Sequence, residues 1–208
     1  MAYASRAAAA LVVLAIAGCA SVPVTLVALP PAPVPDMRDP GPGATVLLRD
    51  VALPGYLDNF PVVVGRNGSA LVVSQNTEWA ERPSAGVARV LRDALSQRLG
   101  ATRVLIAGDG RVPDADLTVE FLALDPQESA LHLDARWFFL CTDAIGSRGG
   151  RSELRVPLAS ATPPAVADAT TEALVRLADV LAAGVPCEAQ AVLERRLPRK
   201  SDRMPTVR

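Results

Sequence analysis

Two stretches of the chain repeat apolar side chains three and four residues apart, the spacing of an amphipathic helix. The first starts near Ser84, a suitable N-cap residue, and stops at Gly100. The second opens at Thr162 and Pro163 and stops at Gly184. The apolar stripes are Val87, Val90, Leu91, Ala94, Leu95 and Leu99 in the first helix, and Val166, Ala169, Ala173, Leu174, Leu177 and Leu181 in the second.

Shorter segments rich in branched apolar residues predict strands. They are Val46 to Val51, Pro61 to Gly65, Ala70 to Ser74, Arg103 to Ala107, Ala115 to Leu124, Ala130 to Cys141 and Ser152 to Leu158, with Val22 to Leu29 as a candidate first strand. Apolar and polar residues alternate after Ala130, which favours a sheet with one face in water. The order of elements predicts an α+β fold, a mostly antiparallel sheet with two main helices packed on one face.

Two glycine-containing segments predict turns between strands. Asn67-Gly68 separates two strand segments and favours an antiparallel hairpin. The segment from Gly146 to Gly150 predicts a second hairpin turn, ahead of the strand that starts at Ser152. It lacks the Lys-Ser/Thr ending of a phosphate-binding loop, and no helix follows it directly.

The N-terminus has the layout of an export signal. Arg6 supplies a positive charge, and residues 7–18 then contain no polar side chain. A membrane-spanning helix needs roughly 20 apolar residues, so this run is too short to be one. We therefore interpret residues 1–18 as a signal peptide.

Ile16, Ala17, Gly18 and Cys19 stand where the apolar run ends and resemble the lipobox of bacterial lipoproteins. The resemblance implies that Cys19 becomes the first residue and carries fatty acyl chains such as palmitate. At about 0.8 kcal/mol per buried CH₂, such chains would hold the protein on a membrane. Ala20, where an aspartate would suggest inner-membrane retention, favours the outer membrane, with the protein facing the periplasm. The alternative is a secreted protein with an incidental cysteine.

The remaining 190 of 208 residues fit one domain with tethers. Residues 19–43 are expected to be a lipid anchor and Pro-rich tether, residues 44–187 the domain, and residues 188–208 a basic tail. From Glu194 onward, six basic and two acidic side chains give this tail a local net charge of about +4. It is either a solvated, flexible end or a segment that touches phosphate head groups. The overall net charge of -1 does not favour nucleic acid as a partner.

Cys141 and Cys187 would meet an oxidising compartment after export. They are either a disulfide pair or two buried free thiols. A disulfide would contribute on the order of 3 to 4 kcal/mol in the chain-entropy model.

Few residues offer catalytic or metal-binding chemistry. His132 is the only histidine, and its place in the middle of a strand indicates a solvent-facing residue rather than a general base. Asp109, Asp114 and Asp116 cluster at a turn, but their spacing does not match a calcium-binding loop. We therefore predict no catalytic residue, no metal site and no cofactor other than the lipid on Cys19.

Two segments carry a resemblance to a known family. Val51-Ala52-Leu53-Pro54-Gly55-Tyr56-Leu57-Asp58-Asn59-Phe60-Pro61-Val62-Val63-Val64 and Asn76-Thr77-Glu78-Trp79-Ala80-Glu81-Arg82-Pro83 resemble the ABC-type transport auxiliary lipoproteins, the PqiC-like family. The resemblance spans roughly Val24 to Leu181. The chain departs from the family at residues 76–78, where a basic residue is common before Trp, and at residues 24–26, where an aromatic strand is usual.

The resemblance implies a role without catalysis. Members of this family are outer-membrane lipoproteins that act with an inner-membrane ABC or PqiA-type component and an MCE-domain protein that bridges the periplasm, trafficking phospholipid or other hydrophobic molecules. Tyr56 and Trp79 are the candidate partner surface, because aromatic residues are enriched at interfaces. The alternative is that both pack on the domain's own core. A lipid carrier, an envelope hydrolase and a homo-oligomeric assembly also stay open.

Overall fold

The computed structural model describes residues 22–33, 43–100, 103–105, 107–108, 110–127, 129–142 and 146–187. The predicted signal peptide, Cys19 with its lipobox residues, Asp109 and the basic tail lie outside these residues. The elements are strands β1 (Thr25–Val27), β2 (Val46–Ala52), β3 (Pro61–Asn67), β4 (Ala70–Trp79), β5 (Val104–Leu105), β6 (Ala115–Gln127), β7 (Ala130–Cys141) and β8 (Arg148–Pro157), and helices α1 (Pro83–Leu99) and α2 (Pro163–Ala183).

The strands form two sheets. One contains three strands in the order β1-β4-β3, and the other contains five in the order β5-β2-β6-β7-β8. The β3/β4, β6/β7 and β7/β8 pairs are antiparallel, whereas β1/β4, β2/β5 and β2/β6 are parallel. The α+β class is confirmed, but the strands form two mixed sheets where a single, mostly antiparallel sheet was predicted. Parallel neighbours need long crossover connections, and α1 lies in the one between β2 and β5.

The two helices contact each other, and every residue of both predicted apolar stripes is buried. α1 also contacts β2 and β5, while α2 contacts β7 and β8 of the same sheet. α1 ends at Gly100 and α2 ends at Gly184, as predicted. The predicted N-cap role of Ser84 is wrong, because α1 starts at Pro83 and Arg82 occupies the cap position.

The hairpin predicted from Asn67-Gly68 is confirmed. Asn67 pairs with Ala70, so Gly68 and Ser69 form a two-residue turn. Gly68 has φ 59°, and the positive value at the first turn position is what a type II′ turn requires.

The glycine-rich segment was predicted to be a turn, but β8 already begins at Arg148. Gly149 and Gly150 therefore pair with Phe138 and Trp137 of β7. A Cβ on Gly150 would overlap the Trp137 ring, and one on Gly149 would come within 2.9 Å of Phe138 Cδ2. Glycine occupies these two positions of β8 because aromatic rings from β7 fill the space that a larger side chain would need.

The Pro-rich stretch does not simply connect the anchor to the domain. β1 comes before it, and Leu29 and Ala32 are buried against the helices, 5% and 4% exposed. The carbonyl oxygens of Leu29 and Ala32 accept hydrogen bonds from Arg89 (3.1 Å) and Gln97 (3.2 Å) on α1. Proline donates no backbone hydrogen bond, so residues 29–32 are held to α1 through carbonyl groups.

Cys141, at the end of β7, is joined by a disulfide to Cys187, which follows α2, with Cα atoms 5.7 Å apart. The bond connects the end of the second helix to the five-stranded sheet. Trp137 lies four residues before Cys141 and packs edge-on against Phe139, with ring centroids 5.8 Å apart.

Candidate functional site

The two segments that carry the family resemblance meet in space. The backbone N–H of Trp79 donates a 2.7 Å hydrogen bond to the carbonyl of Phe60. The loop between β2 and β3, residues 53–60, therefore lies against the connection between β4 and α1. We call these residues the motif loop.

Asp58 fixes the motif loop to the start of α1. Its carboxylate accepts a hydrogen bond from the backbone N–H of Ser84 (2.9 Å) and pairs with Arg82 Nη1 (3.0 Å). Burial alone would raise the pKa of Asp58, but the hydrogen bonds from Ser84 and Arg82 outweigh it and the pKa falls below its usual value. Asp58 thus caps the helix from another part of the chain, the role that Ser84 was predicted to fill.

Tyr56 lies over an ion pair that links the two sheets. Arg66 on β3 donates to Asp125 on β6 at 2.7 Å, and Asp125 is only 1% exposed. The Arg66 guanidinium lies 5.2 Å from the centre of the Tyr56 ring, a cation–π distance. The Tyr56 hydroxyl is 3.5 Å from Asp125, and burial followed by the Asp125 charge raises its pKa.

Trp79 belongs mainly to the interior. It is half-buried and packs against the hydrophobic core. With Leu29, Leu57, Pro83 and Val87 it lines an apolar pocket of about 40 Å³ beneath the motif loop. For Trp79 the structure therefore supports the alternative of packing on the domain's own core.

The motif loop presents an exposed aromatic pair. Tyr56 is 37% exposed and Phe60 is 47% exposed. The loop that carries them is held by Asp58 at one side and by the Arg66–Asp125 pair at the other. The sequence did not single out Arg66 or Asp125, although a charged residue within the apolar strand β6 was a signal that it needs a partner.

His132 lies on β7 with both ring nitrogens engaged. Nε2 is 3.1 Å from the Glu153 carboxylate, and Nδ1 is 3.4 Å from the Gln127 side-chain amide. These contacts assign the tautomer with Nε2–H donating to Glu153 and Nδ1 accepting from Gln127. Neither neighbour is a nucleophile of the kind that histidine activates in a hydrolase.

The acidic residues near the predicted turn have partners of their own. The Asp114 carboxylate accepts hydrogen bonds from the backbone and hydroxyl of Thr45, both at 2.7 Å, and Asp116 pairs with Arg49 at 2.6 Å. Within the described residues, no group of three or more His, Cys, Asp or Glu side chains is arranged to hold a metal ion. None of the helices that these residues form has the length and apolarity to cross a bilayer.

Comparison with known proteins supports both the fold and the family. No functionally curated protein matches the sequence at a significant level. An uncharacterised protein of known crystal structure superposes with a TM-score of 0.62 at 16% identity, over 78% of this chain and 98% of that one. A DUF330 protein from Xanthomonas campestris superposes with a TM-score of 0.59 at 15% identity, over 77% of this chain and 93% of that one. At these identities the two structures show the fold alone.

The family follows from the sequence itself. The model of the ABC-type transport auxiliary lipoprotein component matches residues 25–182, from β1 to the end of α2. The matched region contains both motif segments, the motif loop and both helices. This chain belongs to the family of ABC-type transport auxiliary lipoprotein components.

Proposed function

We propose that this protein is the lipoprotein subunit of an MCE/ABC-type envelope transport system. Its lipid on Cys19 anchors it at the outer membrane, where it docks a periplasm-spanning MCE protein that traffics phospholipid or other hydrophobic molecules. The observation that carries the proposal is the family match over residues 25–182. The signal peptide and lipobox of the sequence supply the anchor.

Docking is favoured over lipid carriage by the small size of the apolar pocket beneath the motif loop. The larger concavity of about 470 Å³ over β2, β6 and β7 is lined in part by the charged residues Asp50, Glu120 and Arg136, which do not suit an acyl chain. Sites for small molecules have volumes of about 300–1,000 Å³. The pocket beneath the motif loop has about 40 Å³ and is lined by side chains of the core. That volume takes a few water molecules or part of one side chain, but not an acyl chain.

The motif loop is the proposed contact surface for the partner. Exposed aromatic side chains on a rigid support bind with little loss of conformational entropy. Tyr56 and Phe60 are exposed, whereas Trp79 supports the loop from below. A role without catalysis agrees with the contacts of His132, which argue against the hydrolase alternative.

The test is co-purification of the MCE partner with full-length lipidated protein from solubilised envelopes. We expect the double variant Tyr56→Ala, Phe60→Ala to weaken capture by at least about thirtyfold, because the loss of even one central aromatic contact costs about 2 kcal/mol. Phe138→Ala is the matched control, since Phe138 is 45% exposed on β7. Circular dichroism of each variant establishes that it is folded.

Three results would contradict the proposal. Capture that is unaffected by the double variant but lost in Phe138→Ala would move the contact surface to the five-stranded sheet. Absence of any MCE protein from the eluate would remove the docking role. A stoichiometric lipid in native mass spectra of the delipidated domain would favour the carrier.

A further inference from the structure

The fold begins immediately after the proposed lipid attachment site. Only Ala20 and Ser21 separate Cys19 from Val22, the first described residue. Three Cα steps span at most about 11 Å, whatever conformation they adopt. The Pro-rich segment cannot separate the domain from the membrane, because it follows β1 in the chain.

The chain next to this point is apolar and uncovered. Val22, Val24 and Leu26 are 63%, 53% and 62% exposed. In an extended chain, side chains two residues apart lie on the same side. β1 is an edge strand, so no neighbouring strand covers it on its outer side. Isolated exposed apolar residues are ordinary, whereas a contiguous group marks an interaction surface.

β1 runs parallel to β4, with Thr25 beside Thr77 and Leu26 beside Glu78. The chain before Thr25 is therefore directed toward the hairpin end of β4, where Val72 and Val73 are 48% and 49% exposed. Successive residues of a strand face opposite sides of the sheet, so these two valines do not both lie on the side of Val24 and Leu26.

We propose that Val22, Val24 and Leu26 form a membrane-contacting face that rests on the phospholipid leaflet holding the anchor. This inference rests on the proposed lipidation of Cys19. The acyl chains bring the face to the bilayer, and its apolar side chains enter the headgroup region. The domain then lies on the membrane instead of standing away from it on a flexible tether.

Glu78 is the charged residue among the three residues of β4 that pair with β1, and its position is compatible with the orientation. Glu78 pairs with Leu26. Of the three apolar residues of the face, Leu26 is the one farthest along the chain from Cys19. Thr77, one position nearer to the anchor, is uncharged. The carboxylate therefore lies at the rim of the face, where it keeps its water.

Quenching by brominated lipid tests the contact. Full-length lipidated protein carrying Val24→Trp is reconstituted into phosphatidylethanolamine–phosphatidylglycerol vesicles with part of the lipid brominated on its acyl chains. The emission of Trp79 and Trp137 is measured in the protein without the added tryptophan and is then subtracted. We expect the added tryptophan to be quenched at least about twofold more than one at a control site, because an interfacial apolar face reaches about 5–10 Å into the headgroup and acyl boundary.

Val112→Trp is the control. Val112 is 69% exposed and lies in the connection between β5 and β6, outside the proposed face.

The outcomes separate this inference from the proposed function. Missing acyl mass on the purified protein, or failure to float with the vesicles, contradicts lipidation of Cys19. Equal quenching of both tryptophans in lipidated, vesicle-bound protein overturns the membrane-contacting face alone. The face is also overturned if Val24→Trp stays unquenched by lipid and is shielded from acrylamide only when an MCE partner is added.

Discussion

Asp58 shows how a single residue acquires a role from the fold. It lies in the motif loop, 26 positions before the backbone N–H of Ser84 that it binds. Helices leave their first backbone N–H groups unsatisfied, and a carboxylate there also interacts favourably with the helix dipole. The same bond that caps α1 therefore holds the motif loop in place.

We expect Asp58→Ala to lower the free energy of unfolding by about 1 kcal/mol at neutral pH, the usual cost of a lost cap. The folded-state pKa of Asp58 lies below the ordinary value of 3.8, so its contribution is complete above that value and disappears as pH falls through the lowered pKa. Urea unfolding of both proteins across this range is the measurement. A difference that grows on acidification would contradict the assigned role.

Gly150 provides a second test at the residue scale. Gly150→Val should destabilise the protein by about 1–3 kcal/mol, because the new side chain would overlap Trp137 and force its ring to move. Gly55→Ala is the matched control, since nothing lies within 4 Å of its added Cβ. Thermal unfolding compares the two, and equal melting temperatures would show that the ring has room to move.

At the scale of elements, the Arg66–Asp125 pair connects β3 of the small sheet with β6 of the large one. Arg66→Ala should cost about 3 kcal/mol, because it leaves a buried carboxylate without its partner. Tyr56→Phe should cost much less, since the Tyr56 hydroxyl is 3.5 Å from Asp125 and bonds weakly. Chemical denaturation of both variants measures the costs, and similar values would show that the ion pair does not hold the sheets together.

The helices and the β3–β4 hairpin follow from local sequence, because helical spacing, Gly100, Gly184 and Asn67-Gly68 act over a few residues. The pairing of strands does not. β2 lies beside β6 and β5, and β1 lies beside β4, through contacts between distant parts of the chain. The glycines of β8 were misassigned for the same reason, since the rings that require them belong to β7.

At the scale of the whole molecule, the place of the Pro-rich segment after β1 decides how far the domain lies from the proposed anchor at Cys19. We expect a ten-residue Gly/Ser insertion between Ser21 and Val22 to lower the lipid quenching of Val24→Trp, because it permits up to about 33 Å of additional reach. The same insertion between Pro35 and Asp36 should leave the quenching unchanged, since that site follows β1. Equal effects would mean that β1 does not hold the start of the chain against the domain.

The sequence by itself determined the α+β class, the family and the two helices, because hydrophobic periodicity and short motifs are local properties of the chain. It also identified Cys19 as the proposed point of anchoring. Only the tertiary structure decided that the motif segments meet, that Asp58 caps a distant helix, and that Trp79 supports the motif loop while Tyr56 stays exposed. It alone paired the candidate first strand, ahead of the Pro-rich segment, with β4. These features depend on contacts between residues far apart in the chain, whose partners no local pattern specifies.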